Sequence, residues 1–146
     1  MTAHTLSLPW PPSEVNPNRS RKLPWWKLRG RDRSGRATGA VTVYREHCFY
    51  LARNYMNTHG LRDALAAPVT VDITFFPPDR RERDPDNLIA SLKPAIDGLV
   101  DAGLLAGDST GQLQFGKVRD VGRPFSTRLR GCVLLELRAY TEGPAS

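Results

Sequence analysis

Cysteine is scarce in this chain: Cys48 and Cys132 are the two cysteines among 146 residues. They form no CxxC pair, and no Cys/His spacing matches a zinc site. A disulfide framework and a structural zinc site are therefore not expected. The stretches around both cysteines predict burial, which favours a reduced, cytoplasmic protein.

Long hydrophobic runs are also lacking. No stretch approaches the ~20 apolar residues of a membrane span, so no membrane association is predicted. The first residues, "MTAHTLSLPWPPS", lack the charged start, apolar run and cleavage site of a secretion signal. There is no internal repeat. With 146 residues, 40% of them hydrophobic, the chain is expected to form a single domain over 1–146 with one core.

Acidic residues are nearly absent from one segment. Residues 18–36, "NRSRKLPWWKLRGRDRSGR", hold eight Lys or Arg against one Asp, a net charge of +7 in a chain of net charge +6. Such a segment is typical of phosphate binding, and Trp25 and Trp26 within it could stack on bases. The alternative is a solvated loop whose tryptophans pack against the body of the protein. The candidate phosphate contacts are Arg19, Arg21, Lys22, Lys27, Arg29, Arg31, Arg33 and Arg36.

The hydrophobic pattern predicts six elements in the order strand, helix, strand, helix, strand, strand. This order indicates an α+β fold, a mixed sheet with two main helices packed on it. Gly122 and Pro124 favour a C-terminal β-hairpin between the last two strands. The predicted segments are strand 4–9, a long basic loop 13–40, helix 42–58, strand 69–76, helix 86–102, strands 112–120 and 127–140, and a frayed tail 141–146.

Local signals refine the two helices. Thr42 is expected to cap the first helix, Gly60 to follow its end, and His47 to lie in the core on its apolar stripe. In the second helix Pro94 predicts a kink. A fresh helix start capped by Ser91, with Pro94 in its first turn, is the alternative.

Two aspartates stand close together in "RRERDPDNL" at 80–88. Asp84 before Pro85 is typical of a helix start, and Asp86 in the first turn suits the helix dipole. This capping role would account for both aspartates without any catalytic or binding function. Arg80, Arg81 and Arg83 have two interpretations: they balance these aspartates, or they bind phosphates.

Three features favour a catalytic role beside the capping role. The pair follows a strand, Asp108 returns from the far end of the helical segment, and Lys93 is expected on the same face as Asp86 and Asp97. Converging carboxylates suit Mg²⁺, which prefers oxygen ligands. A metal-activated water and a nearby lysine could then hydrolyse a phosphodiester. The bland alternative for Lys93 is a surface ion pair with Asp97.

At this point the sequence resembles the RusA family of Holliday-junction resolvases. The resemblance rests on "LPWPPS", "PPDRRERDPDNL", "LKPAIDGLVDAGLL" and "GDS" and spans roughly residues 5–140. It implies Mg²⁺ ligation by Asp84, Asp86 and Asp108, with Mn²⁺ as a possible substitute, an essential Lys93, and support from Asp97. The chain departs from the family pattern at Gly107, where a second acid often stands.

The resemblance also implies a biological setting. It predicts a homodimer that nicks four-way DNA junctions in symmetric pairs during recombination and repair, in the cytoplasm of a bacterial or phage-infected cell. The alternatives are a non-catalytic DNA-binding protein of the same fold and a nuclease for flaps or other branched DNA. Metal dependence separates the first alternative from the resolvase, and the cleavage products separate the second.

Overall fold

A mixed four-stranded sheet organises the protein. The computed structural model describes residues 3–79, 81, 83–109, 111–121 and 131–139. The strand order is β1-β4-β2-β3, in which β4 is antiparallel to both of its neighbours and β2 is parallel to β3. The strands are β1 (Ala3–Pro9), β2 (Val69–Phe76), β3 (Leu113–Asp120) and β4 (Cys132–Ala139).

Five helices accompany these strands in the described part of the chain. Two of them, and a 3₁₀ turn at Ser13–Val15, lie within 13–40, which the sequence predicted to be a loop. The segment is rich in Ser, Gly, Pro and Arg, yet Pro17 and Pro24 suit the starts of short helices. The helices are α1 (Pro17–Ser20), α2 (Trp25–Arg29), α3 (Ala40–Thr58), α4 (Pro85–Ser91) and α5 (Lys93–Asp101).

One core joins the sheet to the longer helices. Val69, Val71, Ile73 and Phe75 of β2 are buried, while the residues between them are half-buried. This confirms the alternation predicted for strand 69–76. The same core contains the buried faces of α3 and α5, so the α+β fold with helices packed on a mixed sheet is confirmed. Cys48 is buried and Cys132 is partly buried.

The predicted C-terminal hairpin is corrected in its pairing. β3 and β4 run in opposite directions, but β2 lies between them and pairs with both. β4 buries Val133, Leu135 and Leu137 and suits a central position, whereas β3 buries only Leu113 and suits an edge. The connection 122–130 lies outside the described residues, as do the predicted start of the last strand at 127–130 and the tail 141–146.

The ends of α3 differ from the prediction. The helix begins at Ala40 after Gly39, and no side chain caps it, so the predicted cap by Thr42 is wrong. Gly60 follows the helix end with a φ of 66°, as expected of a glycine there. His47 is exposed, and the prediction that it lies in the core is wrong. The core-facing stripe runs instead through Tyr44, Cys48, Ala52 and Met56.

The predicted helix 86–102 is two helices, α4 and α5, that meet at Leu92. Pro94 stands in the first turn of α5, where a missing N–H costs nothing. This agrees with the alternative of a fresh start. Ser91 does not provide the cap, because its hydroxyl donates to the Asn87 carbonyl oxygen at 2.7 Å.

The parallel pair β2 and β3 requires a crossover, and α4 and α5 form it. Asp84 begins this crossover and Asp108 lies near its end. Gly103, with a φ of 85°, turns the chain back after α5. The crossover therefore carries all of the predicted carboxylates. No helix in the described residues is long and apolar enough to cross a membrane.

Candidate functional site

Asp84 caps α4. Its Oδ1 accepts a hydrogen bond from the Asp86 backbone N–H at 2.9 Å, and Pro85 is the first residue of the helix. The capping role predicted from the sequence is therefore present. Within the described residues the Asp84 Oδ2 and the Asp86 carboxylate carry no hydrogen bond or ion pair, and both side chains are exposed. Capping by one oxygen leaves the rest of the pair available to a ligand.

The neighbouring arginines contact a different aspartate, Asp79, which the sequence analysis missed. Asp79 Oδ1 is 2.5 Å from Arg83 Nη2, and its Oδ2 is 3.2 Å from Arg81 Nη2. Hydrogen bonds from the Arg81 backbone and side chain and from Arg83 lower the pKa of Asp79 to about 2. Arg81 and Arg83 therefore balance the charge of Asp79, and not that of Asp84 and Asp86 as predicted. In the sequence, the only sign of this contact was the position of Asp79 at the end of "FFPPD", shortly before the arginines.

Arg81 and Arg83 differ in availability. The Arg83 side chain is only 16% exposed, lies 5.2 Å from the Trp10 ring centroid and donates to the Arg81 carbonyl oxygen at 2.9 Å. The Arg81 side chain is 82% exposed. Arg83 therefore fixes the loop, and Arg81 is the better placed to meet a phosphate. Arg80 lies outside the described residues.

Lys93 joins two carboxylates at the start of α5. Its Nζ is 2.8 Å from Asp97 Oδ1, one helical turn on, and forms a second ion pair with Asp108 Oδ2. The bond to Asp108, followed by that to Asp97, raises the pKa of Lys93, and Lys93 lowers the pKa of Asp108. The ion pair predicted between Lys93 and Asp97 is present, and Asp108 does return to the crossover helices.

Arg45 of α3 extends this cluster, and sequence reasoning missed it. Its guanidinium binds Asp101 through two hydrogen bonds of 2.6 and 2.9 Å, and its Nη1 lies 3.8 Å from Asp97 Oδ2. The bond to Asp101 raises the pKa of Arg45, and the same bond lowers the pKa of Asp101. No local pattern could reveal a contact between residues 52 positions apart.

Gly107 precedes Asp108 with little space around it. A Cβ at this position would lie 2.0 Å from Gln112 Oε1, the end of a flexible side chain. That oxygen accepts a hydrogen bond from the Ser109 hydroxyl at 2.8 Å. The Gln112 carboxamide therefore occupies the space that an acid at position 107 would need.

The carboxylates match Mg²⁺ in chemistry but are not gathered around one point. Asp84, Asp86 and Asp108 supply the hard oxygen ligands that this ion prefers. Among the residues that the structure describes, however, no three His, Cys, Asp or Glu side chains form a group that could hold a metal. Asp108 is paired with Lys93 instead.

The basic segment is more structured than the sequence indicated. Asp32 accepts hydrogen bonds from the Ser34 hydroxyl and from the backbone N–H groups of Ser34 and Arg36, which closes a tight turn and lowers the pKa of Asp32. Arg31 pairs with Glu46 at 2.8 Å and Arg19 with Glu14 at 3.9 Å. All eight predicted cationic side chains belong to exposed residues.

The two tryptophans of the basic segment are exposed as well. Trp25 is 69% and Trp26 61% accessible to solvent. The alternative that both pack against the body of the protein is therefore wrong.

Comparison with known proteins identifies the family of this chain. No family model matches the chain. The crossover junction endodeoxyribonucleases RusA of Escherichia coli (strain K12) and Shigella sonnei (strain Ss046) are each 35% identical to it over 109 residues, 75% of this chain and 77% of theirs. An uncharacterised protein of Xylella fastidiosa is 32% identical over 98 residues, and there the matched part is 56% of the relative's length. On this identity and coverage, the chain belongs to the RusA family of crossover junction endodeoxyribonucleases.

Proposed function

We propose that this protein is a Mg²⁺-dependent endodeoxyribonuclease that resolves four-way DNA junctions by paired, symmetric nicks. The relatives are crossover junction endodeoxyribonucleases, which supports the junction as substrate. The observation that carries the chemistry is the placement of Lys93 between Asp97 and Asp108, on the crossover that begins with Asp84 and Asp86. The proposal includes a homodimer, because two identical sites would match the approximate two-fold symmetry of a junction.

The metal would be held by Asp84, Asp86 and Asp108, with Mn²⁺ as a substitute. Its binding would have to draw the three carboxylates together and replace the ion pair between Asp108 and Lys93. When bound, it supplies an activated water and neutralises charge on the phosphodiester. Asp84 would keep its cap while serving as a ligand, because the cap uses only Oδ1. Asp86 would contribute charge, since its carboxylate makes no hydrogen bond or ion pair with the described residues.

Lys93 acts by its charge. The bond to Asp108, followed by that to Asp97, raises its pKa and so favours the charged ammonium form. A fixed cation beside the scissile phosphate stabilises the negative charge that develops in the transition state. Asp97 keeps this cation in place through the 2.8 Å contact.

The first experiment is cleavage of a synthetic four-way junction by wild-type protein and by Asp86→Asn, in Mg²⁺ and in EDTA. Matched linear duplex and flap DNA are the controls. We expect symmetric nicks in Mg²⁺ only, lost in Asp86→Asn, while the variant keeps its fold and binds the junction as well or more tightly because a negative charge near phosphates is removed.

Each alternative gives a different result. Junction binding without cleavage under every divalent metal would identify a non-catalytic DNA-binding protein and overturn the proposal. A single cut that favours flaps would identify a nuclease for other branched ends. Unfolding of Asp86→Asn would show that the side chain holds the helix start instead.

A further inference from the structure

An open groove lies beside the basic segment, with a volume of about 750 Å³. Trp26 and Lys27 of α2 line this groove. Trp10 and Pro12, which follow β1, and Val43 and His47 of α3 line it as well. The volume falls within the range of about 300–1,000 Å³ that small-molecule sites in proteins occupy, and the lining combines aromatic, apolar and cationic groups.

Trp26 is the most prominent aromatic side chain of this groove. Its indole is 61% exposed, so a large flat apolar surface remains in contact with water. Lys27 Nζ lies over one face of the same ring, 5.4 Å from its centroid, which leaves the other face for a stacked base. The flat ring can stack on a nucleobase, and the ammonium group can contact the phosphate next to that base.

The groove adjoins the depression that Asp84 lines. That depression, of about 450 Å³, is lined by Asp84 together with Arg81 and Asn87, and it shares Trp10 and Pro12 with the groove. A nucleic-acid strand bound beside Asp84 would therefore lie next to the groove that Trp26 lines.

The charge around the groove suits a polyanion. Trp26 and Lys27 belong to the segment 18–36, whose net charge is +7. Among the residues that the structure describes, Glu14 is the one acid that lines the groove, and its carboxylate is 3.9 Å from Arg19 Nη2, which offsets its charge. The Tyr44 hydroxyl already donates to the Pro9 carbonyl oxygen at 2.7 Å.

We propose that this groove binds an unpaired nucleobase of branched DNA, which stacks on Trp26 while Lys27 contacts the adjacent phosphate. The inference rests on the proposed function, because branched DNA is taken as the ligand of the neighbouring site. Stacking on an aromatic ring is tolerant of sequence, since every base has a flat face. The groove therefore selects DNA with unpaired bases over perfect duplex.

The chain offers a matched control. Trp25 precedes Trp26 in the same short helix and is as exposed, but it does not line the groove. Affinity is measured in EDTA, where cleavage is absent, for wild type, Trp26→Ala, Trp26→Phe and Trp25→Ala. The ligands are a linear duplex, the same duplex with a short run of unpaired thymines, and a four-way junction.

We expect Trp26→Ala to weaken binding of the thymine-containing DNA by about tenfold, the effect of losing one stacked base. Binding of the perfect duplex should stay nearly unchanged. Trp25→Ala should match wild type, and Trp26→Phe should retain most of the affinity. A 2-aminopurine in place of one unpaired base should be quenched by wild type and Trp25→Ala but not by Trp26→Ala.

Equal weakening for all three DNAs, or equal effects of Trp25→Ala and Trp26→Ala, would overturn the inference. So would a change in sedimentation mass caused by Trp26→Ala, which would assign the groove to contact with a second copy of the chain. Junction cleavage by wild type in Mg²⁺ is measured in parallel. If the junction is cleaved but binding does not depend on Trp26, only the groove proposal fails. If binding depends on Trp26 but no cleavage occurs, only the nuclease proposal fails.

Discussion

Asp97 is shared between two cations from different helices. Its Oδ1 accepts a hydrogen bond from Lys93, and its Oδ2 lies 3.8 Å from Arg45 Nη1. Arg45 is itself held by the two hydrogen bonds to Asp101. Because Arg45 belongs to α3, the orientation of Lys93 depends on the packing of α3 against α5. Arg45 is accordingly a positioning residue for Lys93, although it makes no contact with Lys93.

Replacement of Lys93 tests whether its charge acts in the transition state. We expect Lys93→Ala to lower the turnover of junction cleavage by about 10²–10³-fold, the usual effect of removing one electrostatic stabiliser, with the Kd for the junction changed only a few-fold. Single-turnover cleavage rates and binding in EDTA give the two values. Lys93→Arg keeps the charge and should retain more activity.

Lys22 of the basic segment provides the contrast. Lys22→Ala removes an exposed lysine that is proposed to contact phosphate, so it should weaken binding and leave single-turnover cleavage at saturating protein unchanged. Equal losses of turnover and binding in Lys93→Ala would assign Lys93 to ground-state binding and count against a transition-state role.

At the scale of elements, the close approach of α3 and α5 depends on Gly98. A Cβ there would lie 2.5 Å from the Arg45 carbonyl oxygen, 3.0 Å from the Phe49 backbone nitrogen and 3.1 Å from Cys48 Cβ. Two of these neighbours are backbone atoms, which cannot move aside as a flexible side chain can. The same packing holds Arg45 beside Asp97.

Gly98→Ala is therefore expected to destabilise the fold. Alanine would gain up to about 1 kcal/mol in helix propensity, but forced separation of the helices costs typically about 1–3 kcal/mol. The clash should dominate, and the free energy of unfolding in urea should fall. Gly111→Ala is the control, because its Cβ would meet nothing within 4 Å and its φ is not positive. A Gly98→Ala variant as stable as Gly111→Ala would show that the helices can separate freely.

At the scale of the whole molecule, positive charge is concentrated on one segment, while the rest of the chain is close to neutral. Each phosphate contact releases counterions, so the slope of log K against log[salt] changes by about 0.9 per contact. The combined variant Arg21→Gln, Lys22→Gln and Arg29→Gln should therefore flatten the slope by up to about 2.7 on the same scale.

Arg62→Gln is the control for this variant, since Arg62 is exposed but lies outside the segment. It should leave the salt slope nearly unchanged. Affinity for a four-way junction, measured in EDTA across a range of salt concentrations, provides both slopes. An equal change per charge in the two variants would show that the segment has no special role in DNA contact.

The sequence by itself determined the features that depend on near neighbours. The alternation of β2 and the cap at Asp84 follow from backbone constraints within four residues. The same kind of constraint limited Pro94 to a kink or a first turn, and the structure has the first turn. The motif around "RDPDNL" likewise indicated the family before any geometry was known. These signals are local, and no distant contact reverses them.

Only the tertiary structure decided which elements are neighbours. It inserted β2 between β3 and β4, directed Arg81 and Arg83 to Asp79, joined Arg45 to Asp97, and placed Trp26 but not Trp25 along the groove. The physical reason is that burial is settled by the whole set of apolar surfaces at once. A strand with three buried residues takes the centre of the sheet whatever its place in the chain, and polar contacts between distant residues follow from that packing.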